Sequence, residues 1–424
     1  MTIATAVERL DLRAYIRPGD RVVWGHACGE PTTLVEALLA QADVLGPVTA
    51  FAATSFSGLL DATAASRLTL SSMGAIGALR AVSATGLLGI IPSHLSQIGP
   101  MIEQGLIGCD VAFVQVSPPD AAGNHSFGLV HDMVEAAVRK ARVVIAEVNE
   151  LVPFTLGEAM LHANRIDCAV HVARMPVEVP PAAISATDQA IAGLAAGYIE
   201  DGAVLQVGIG AVPDAILRLL LDRRDLGIHS GMVGDSLVDL VEAGVLTNAC
   251  KPIDTGVSIT GSLIGSRRLF DFCNRNPNIG MRSTAYTHNA AVLARLPKLV
   301  TINSALEVDL TGQVNAEQSG AQYLGGTGGQ ADFVRASARS LGGRSIIALP
   351  ATAKHGTVSR ITASLSGPVT TLRSDVDVIV TEFGAAELKG QTLAERARRL
   401  VMIAHPAFQQ ALDQAAHAIQ KRGF

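Results

Sequence analysis

Three glycine-rich turns in the second half of the chain have residue types and spacing that could do chemistry. The first is Gly208-Ile-Gly-Ala-Val-Pro213, after the apolar run Ala203 to Val207 and before a helical stretch read as Asp214 to Leu221. Free backbone N–H groups at Gly208, Gly210 and Ala211, with a helix N-terminus behind them, suit an anion or a developing oxyanion. The second is Gly325-Gly-Thr-Gly-Gly-Gln330. Its Gly326, Gly328, Gly329 and Gln330 let a ligand or another backbone approach closely. The third, Ala351-Thr-Ala-Lys-His-Gly-Thr-Val-Ser-Arg360, follows Ile346 to Leu349 directly. It carries Lys354, His355 and Arg360, types suited to phosphate or carboxylate contact and to proton transfer. Neither a dinucleotide fingerprint nor a P-loop is complete: one loop lacks the third glycine, another the Gly-Lys-Ser/Thr ending. A further stretch, Leu226 to Val238, reads His229-Ser230-Gly231-Met232 at its centre and offers no obvious nucleophile.

Loops of this kind need strands to present them. A short apolar run, Arg21 to Gly25, ends in glycine, and continuous ones occur at Val111 to Val116, Val143 to Val148, Val204 to Val207, Leu299 to Ile302, Ile346 to Leu349 and Val376 to Val380. Such runs predict strands buried on both faces. Helical spacing lies between them, as in Pro31 to Ala40 with Leu34, Ala37 and Leu38. The fold class is therefore α/β with largely parallel sheets. Met175-Pro-Val-Glu-Val-Pro-Pro181 cannot continue a helix and marks a linker. Ser185 with Gln189 is read as a helix start with an approximate capping box. On either side of the linker the same order recurs: turn, strand, glycine loop, then Pro31 or Pro213 near a helix start. Two related open-sheet domains, residues 1–180 and 181–424, are expected to face a central crevice, where ligands of such folds bind.

Bulk properties narrow the class. The chain has 424 residues, 49% hydrophobic and 17% charged, with a formal net charge of -5. It has no basic cluster and only 4% aromatic residues, so no nucleic-acid partner is expected. No apolar run reaches membrane-spanning length and the N-terminus has no secretory pattern, so a cytoplasmic protein without a membrane partner is expected. Five scattered cysteines without a Cys-x-x-Cys pair argue against disulfides, and no histidine spacing suits a metal.

The motifs resemble the acetyl-CoA hydrolase/transferase family, close to its 4-hydroxybutyrate CoA-transferase branch. The matching stretches include Leu205-Gln-Val-Gly-Ile-Gly-Ala-Val-Pro-Asp214, Leu226-Gly-Ile-His229, Ser304 to Glu317, Gly326-Thr-Gly-Gly-Gln330, Ile347 to Lys354 and Thr357-Val-Ser-Arg360. Gln115 to Gly123 and Ile145-Ala-Glu-Val-Asn149 extend the match into the first half. The resemblance implies two CoA-transferase (NagB/RpiA-like) domains and a coenzyme A thioester as substrate, with no tightly bound cofactor. It also implies ping-pong chemistry through a glutamate that attacks the thioester and becomes an enzyme–CoA thioester.

In relatives that glutamate follows a His-Ser or His-Thr pair and precedes Met. Here the position is Gly231. Asp235, four residues on, matches an aspartate that the family has besides its glutamate. His229 is shared with relatives that keep the glutamate and reads as a packed histidine. Glu242 reads as surface, Glu317 as a supporting residue of the site region and Cys28 as inert packing. His355 departs from the glycine usual in relatives and is the candidate general base. Lys354, Gly356 and Asn303 are the expected CoA contacts, and the Gly210 and Gly326–Gly329 loops the oxyanion donors. The expected reaction is direct acyl transfer from acyl-CoA to a small amine or hydroxyl acceptor, in a homo-oligomer, a dimer. Hydrolysis is the runner-up, followed by CoA transfer through a relocated carboxylate, then a non-catalytic acyl-CoA-binding protein.

Overall fold

The computed structural model describes residues 3–423. The chain divides into two compact units at Pro180 and Pro181. Two later segments, Gly231–Asp235 and Val257–Asn289, cluster with the first unit, and the rest from Pro181 onward forms the second. The glycine at the centre of Leu226 to Val238 is thus where the chain passes from one unit to the other.

The first unit is built on eight strands: β1 (Ile3–Thr5), β2 (Arg21–Trp24), β3 (Thr49–Phe51), β4 (Thr69–Ser72), β5 (Leu88–Ile90), β6 (Val111–Val116), β7 (Val143–Asn149) and β8 (Cys168–Val172). They form one parallel sheet in the order β1-β8-β7-β6-β2-β3-β4-β5. Every residue of β6 and β7 is buried, as the continuous apolar runs require of a sheet covered on both faces. Polar exceptions stand in register: Gln115 on β6 faces Glu147 on β7. Helix α1 (Thr32–Leu45) follows β2 through a tight loop and buries Leu34, Val35, Leu38, Ala42 and Leu45. It runs past the expected end at Ala40 because Ala42 and Leu45 continue the buried stripe. It stops at Gly46, whose φ of 76° leaves the helix.

In the second unit, helix α2 (Ala186–Ala196) opens with a capping box. Its partner is Asp188, not the expected Gln189. Ser185 Oγ accepts from Asp188 N at 3.2 Å and Asp188 Oδ2 accepts from Ser185 N at 2.9 Å, because the third helical position is the one that reaches back to the cap. The sheet contains β9 (Val204–Val207), β10 (Gly227–Ile228), β11 (Leu299–Ser304), β12 (Arg344–Ala348), β13 (Val378–Thr381) and β14 (Gly384–Glu387). Its order is β10-β9-β11-β12-β13-β14, with only β14 antiparallel. Helix α3 (Ala211–Arg218) starts three positions before the expected Asp214. Pro213 falls in its first turn, where an N–H would have no helical acceptor, so the ring costs nothing. Val308, Ile347, Ile379, Leu388 and Leu400 belong to one apolar cluster of this unit, and Val204, Leu293, Leu299 and Phe333 to another. Among the described residues no helix is long and apolar enough to cross a membrane.

Candidate active site

Parallel strands deliver their following loops to one end of a sheet. In the second unit this gathers Gly208–Ala211 after β9, His229-Ser230 after β10 and Asn303 at the end of β11. Gly208 N donates to Ile302 O at 3.2 Å, holding the first loop against β11. Gly210, with φ 126°, turns the chain into α3 and caps it without a side-chain bond, leaving first-turn N–H groups available to an anion. Ser230 is fully buried. Its Oγ donates to Val207 O at 3.1 Å and accepts from Val207 N at 3.3 Å. His229, also fully buried, donates its backbone N–H to Leu205 O at 3.0 Å. Asn303 and Gln206 exchange amide hydrogen bonds at 3.1 and 3.4 Å, so that amide is already engaged within the protein.

The glycines at 325–329 precede the Gln330–Ser337 helix, and Gly328 has φ 53°. Glu317 fixes this loop. Its carbonyl accepts from Leu324 N and Gly325 N at 2.8 and 2.9 Å. Its carboxylate accepts from Thr370 Oγ1 at 2.8 Å and from the Tyr323 hydroxyl. Burial, with the neighbouring Glu317, pushes the Tyr323 phenol upward, so it stays a donor. Gln330 Nε2 donates to Thr371 Oγ1 at 3.1 Å.

The third loop is a hairpin in which Thr352–Ala353 pairs with Val358–Ser359. Lys354, His355 and Gly356 form its exposed tip, with φ values of 49°, 56° and 84°. Gly356 N donates to Ala353 O at 3.1 Å, closing a turn whose two central residues are left-handed, the type I′ pattern. No carboxylate or carbonyl orients the His355 ring among the described residues. Arg360 anchors the base of the hairpin, with Nη1 donating to Ala305 O at 3.2 Å. Burial holds its guanidinium below the usual range.

The first unit holds Gly231–Asp235. Gly231 is buried, and its carbonyl accepts from Gly261 N at 3.1 Å. It is not among the residues with positive φ, so its backbone conformation does not itself require glycine. Asp235 anchors Ser266, the residue that precedes the Arg267–Cys273 helix. Its two oxygens take the Ser266 hydroxyl at 2.5 Å and the Ser266 N–H at 2.9 Å. That carboxylate is committed to structure. Glu242, in the second unit, is exposed.

Sequence reasoning passed over a buried polar cluster of the first unit. His26 Nε2 lies 2.8 Å from Asp132 Oδ2, and Ser262 Oγ donates to the same oxygen. Two carboxyls, Glu30 and Glu147, are pushed up to about 7 by burial. Glu147 accepts from Thr33 N at 2.8 Å at the start of α1. Ser55 Oγ reaches both oxygens of Glu30 at 3.1 and 3.0 Å. The signal was a glutamate inside the apolar run Val143 to Val148, and a His and a Glu flanking Cys28 in one glycine loop. Cys28 itself is fully buried, and burial pushes its thiol up to about 12, which keeps it protonated and unreactive. Among the described residues no group of three or more His, Cys, Asp or Glu could hold a metal ion.

The model of the acetyl-CoA hydrolase/transferase N-terminal domain matches residues 5–181, and that of the C-terminal domain residues 265–416. The 4-hydroxybutyrate coenzyme A transferase of Clostridium kluyveri is 40% identical over 396 residues, covering 92% of each chain. The crystal structure of RipA from Yersinia pestis has a TM-score of 0.91 at 35% identity, covering 98% of this chain and 97% of that one. A 4-hydroxybutyrate CoA-transferase structure from Porphyromonas gingivalis has a TM-score of 0.83 at 35% identity, covering 99% and 97%.

Proposed function

This chain belongs to the acetyl-CoA hydrolase/transferase family, and from that premise we propose that it takes an acyl-CoA and passes the acyl group directly to a small amine or hydroxyl acceptor. The observation that carries the proposal is Gly231 at the position where the family resemblance expects the nucleophilic glutamate. A hydrogen in place of a carboxylate cannot form an acyl anhydride or an enzyme–CoA thioester. The two carboxylates that the family resemblance expects besides the missing glutamate give no ready substitute. Asp235 is held by Ser266 and Glu317 by Tyr323 and Thr370.

In this reading the N–H groups of Gly210 and Ala211 stabilise the oxyanion as the acceptor attacks, while that of Gly208, expected to join them, is engaged by Ile302 O. The Gly326 to Gly329 loop, ending at Gln330, supplies further backbone donors, and Lys354 and Gly356 contact coenzyme A. His229 and Asp235 are packed residues that hold the segment around Gly231. His355, exposed and unoriented, is not assigned the proton transfer. Hydrolysis is the second reading, favoured by the hydrolase activity in the family's own description. Water would then occupy the acceptor's place.

An acyl-CoA panel with mass detection of all products tests this. Thiol release that requires an added amine or alcohol, with formation of the corresponding amide or ester, is the expected result. Release without acceptor would replace it by hydrolysis. An enzyme-bound thioester, trapped as its alcohol by borohydride, would overturn both.

A further inference from the structure

In the first unit a buried imidazole is held by a carboxylate on one nitrogen and has no protein partner on the other. His26 Nε2 sits 2.8 Å from Asp132 Oδ2, with the two side chains 4% and 1% exposed. Ser262 Oγ donates to the same carboxylate oxygen. His26 Nδ1 and Asp132 Oδ1 are buried and have no hydrogen-bond partner. Polar atoms so placed are costly unless something answers them. An ionised Asp132 can only accept, which puts the ring hydrogen on Nε2 and leaves a lone pair on Nδ1. This tautomer is inferred from the partner.

The pair stands beside Gly231. Gly231 O accepts from Gly261 N at 3.1 Å. A Cβ on Gly261 would lie 3.0 Å from that same carbonyl and would overlap Asp132 Oδ1. The carboxylate and the Gly231 carbonyl therefore flank one point of backbone. His26 belongs to the loop leaving β2, the end of a parallel sheet where sites form.

We propose that His26, oriented by Asp132, is the general base that removes the acceptor's proton in this enzyme. The inference rests on the direct-transfer reading above and supplies the base that reading lacks. As the acceptor's N–H or O–H attacks the thioester carbon, its proton passes to His26 Nδ1 and a new C–N or C–O bond forms. The C–S bond then breaks, and the leaving thiolate takes that proton from the imidazolium as free coenzyme A. Nε2–H stays on Asp132, whose charge stabilises the transient imidazolium. Asp132 itself is poorly placed as a nucleophile. Its open oxygen presses on Gly261, where even a Cβ has no room.

The test uses the full chain and two separate measurements. A non-hydrolysable thioether analogue of acetyl-CoA reports binding by calorimetry, and the acyl-CoA panel reports turnover. His26→Gln keeps a donor toward Asp132 but has no basic nitrogen. It is expected to lose a hundredfold or more in turnover, on the order of a general base's contribution, with analogue affinity within about threefold of the unaltered protein. Turnover within about threefold, or parallel loss of binding and turnover, would overturn the proposal. Should His26→Gln fail to fold, Asp132→Asn gives the same reading, because the wrong tautomer is then favoured and turnover falls similarly with binding retained. Retained turnover in that variant overturns the proposal, as does an acyl or CoA adduct on Asp132 by peptide mass mapping. Transfer to carboxylates alone by the unaltered protein would instead sink the direct-transfer reading.

Discussion

Ser230 Oγ bonds both backbone groups of Val207, donating to its carbonyl at 3.1 Å and accepting from its N–H at 3.3 Å. One hydroxyl thereby ties the residue before Gly231 to the strand end that opens into the Gly208 loop. The backbone at Gly231 is also fixed on its other side, through Gly261. A side chain introduced there would enter a defined position without left-handed strain. Gly231→Glu is therefore expected to gain CoA transfer to acetate or a hydroxy acid. Borohydride trapping with intact-mass analysis after acetyl-CoA treatment checks this. A variant that folds, binds acyl-CoA and forms no glutamyl thioester would remove Gly231 from the nucleophile's address.

Asp235→Ala should cost stability. The aspartate is 8% exposed and answers both the N–H and hydroxyl of Ser266 at a helix start. Losing both bonds from a largely buried carboxylate costs about 2 kcal/mol. Equilibrium urea unfolding of wild type and variant measures the difference. A midpoint unchanged by the substitution would mean that the aspartate is not retained for structure.

Glu30 introduces a pH dependence of known sign. Desolvation lifts its carboxyl from 4.5 to about 7 against the hydrogen bonds of Ser57 and Ser55. The folded protein then holds a proton that the unfolded chain releases. That stability is fully present below about pH 4.5 and is lost as pH rises through about 7. Glu147 acts in the same direction. His131, lowered to about 4 by burial, acts oppositely and loses stability as pH falls from its ordinary value toward 4. The informative quantity is thus the difference between wild type and Glu30→Gln, which should grow in the variant's favour by roughly 2–3 kcal/mol between about pH 4.5 and 8. A pH-independent difference would show that Glu30 is ionised throughout.

Tyr323→Phe removes the hydroxyl that holds Glu317. Glu317 in turn accepts from the backbone N–H of Gly325, at 2.9 Å. Faster hydrogen exchange is expected at the amides of Leu324 to Gly329, with lower acyl-CoA turnover. Exchange left at the wild-type rate would mean that the loop is held by its glycine turns alone.

At the exposed hairpin tip, His355→Gly should stabilise. The position has φ 56°, where an L residue is strained and glycine is not. A gain of about 0.5–1 kcal/mol in thermal or urea unfolding is expected. Turnover of the same variant separates the two histidines. Activity close to wild type leaves proton transfer with His26, whereas a hundredfold loss would place it at the hairpin.

Much of the fold is written locally. Val111 to Val116 and Val204 to Val207 are strands to the residue, because an apolar run that must be covered on both faces can be read without knowing its neighbours. The glycine loops, the linker before Pro181 and the glycine at 231 were equally plain, since each depends on residue type at one place. Helix starts were mixed: Ser185 caps its helix as expected but with Asp188 rather than Gln189 as partner, and α3 begins at Ala211 rather than Asp214, by cap geometry that residue type alone leaves ambiguous. What no local pattern could decide is which side chains meet. His26 and Asp132 are 106 positions apart, and Ser262 another 130 from Asp132. Their contact follows from strand order and from the return of Gly231–Asp235 and Val257–Asn289 to the first unit. His355 shows the same limit in reverse. Its type suggested a base, but only the left-handed turn put it at an exposed tip. Periodicity reports which face of an element is buried. The partner that completes a buried charge is chosen by the crossover connections of the whole chain.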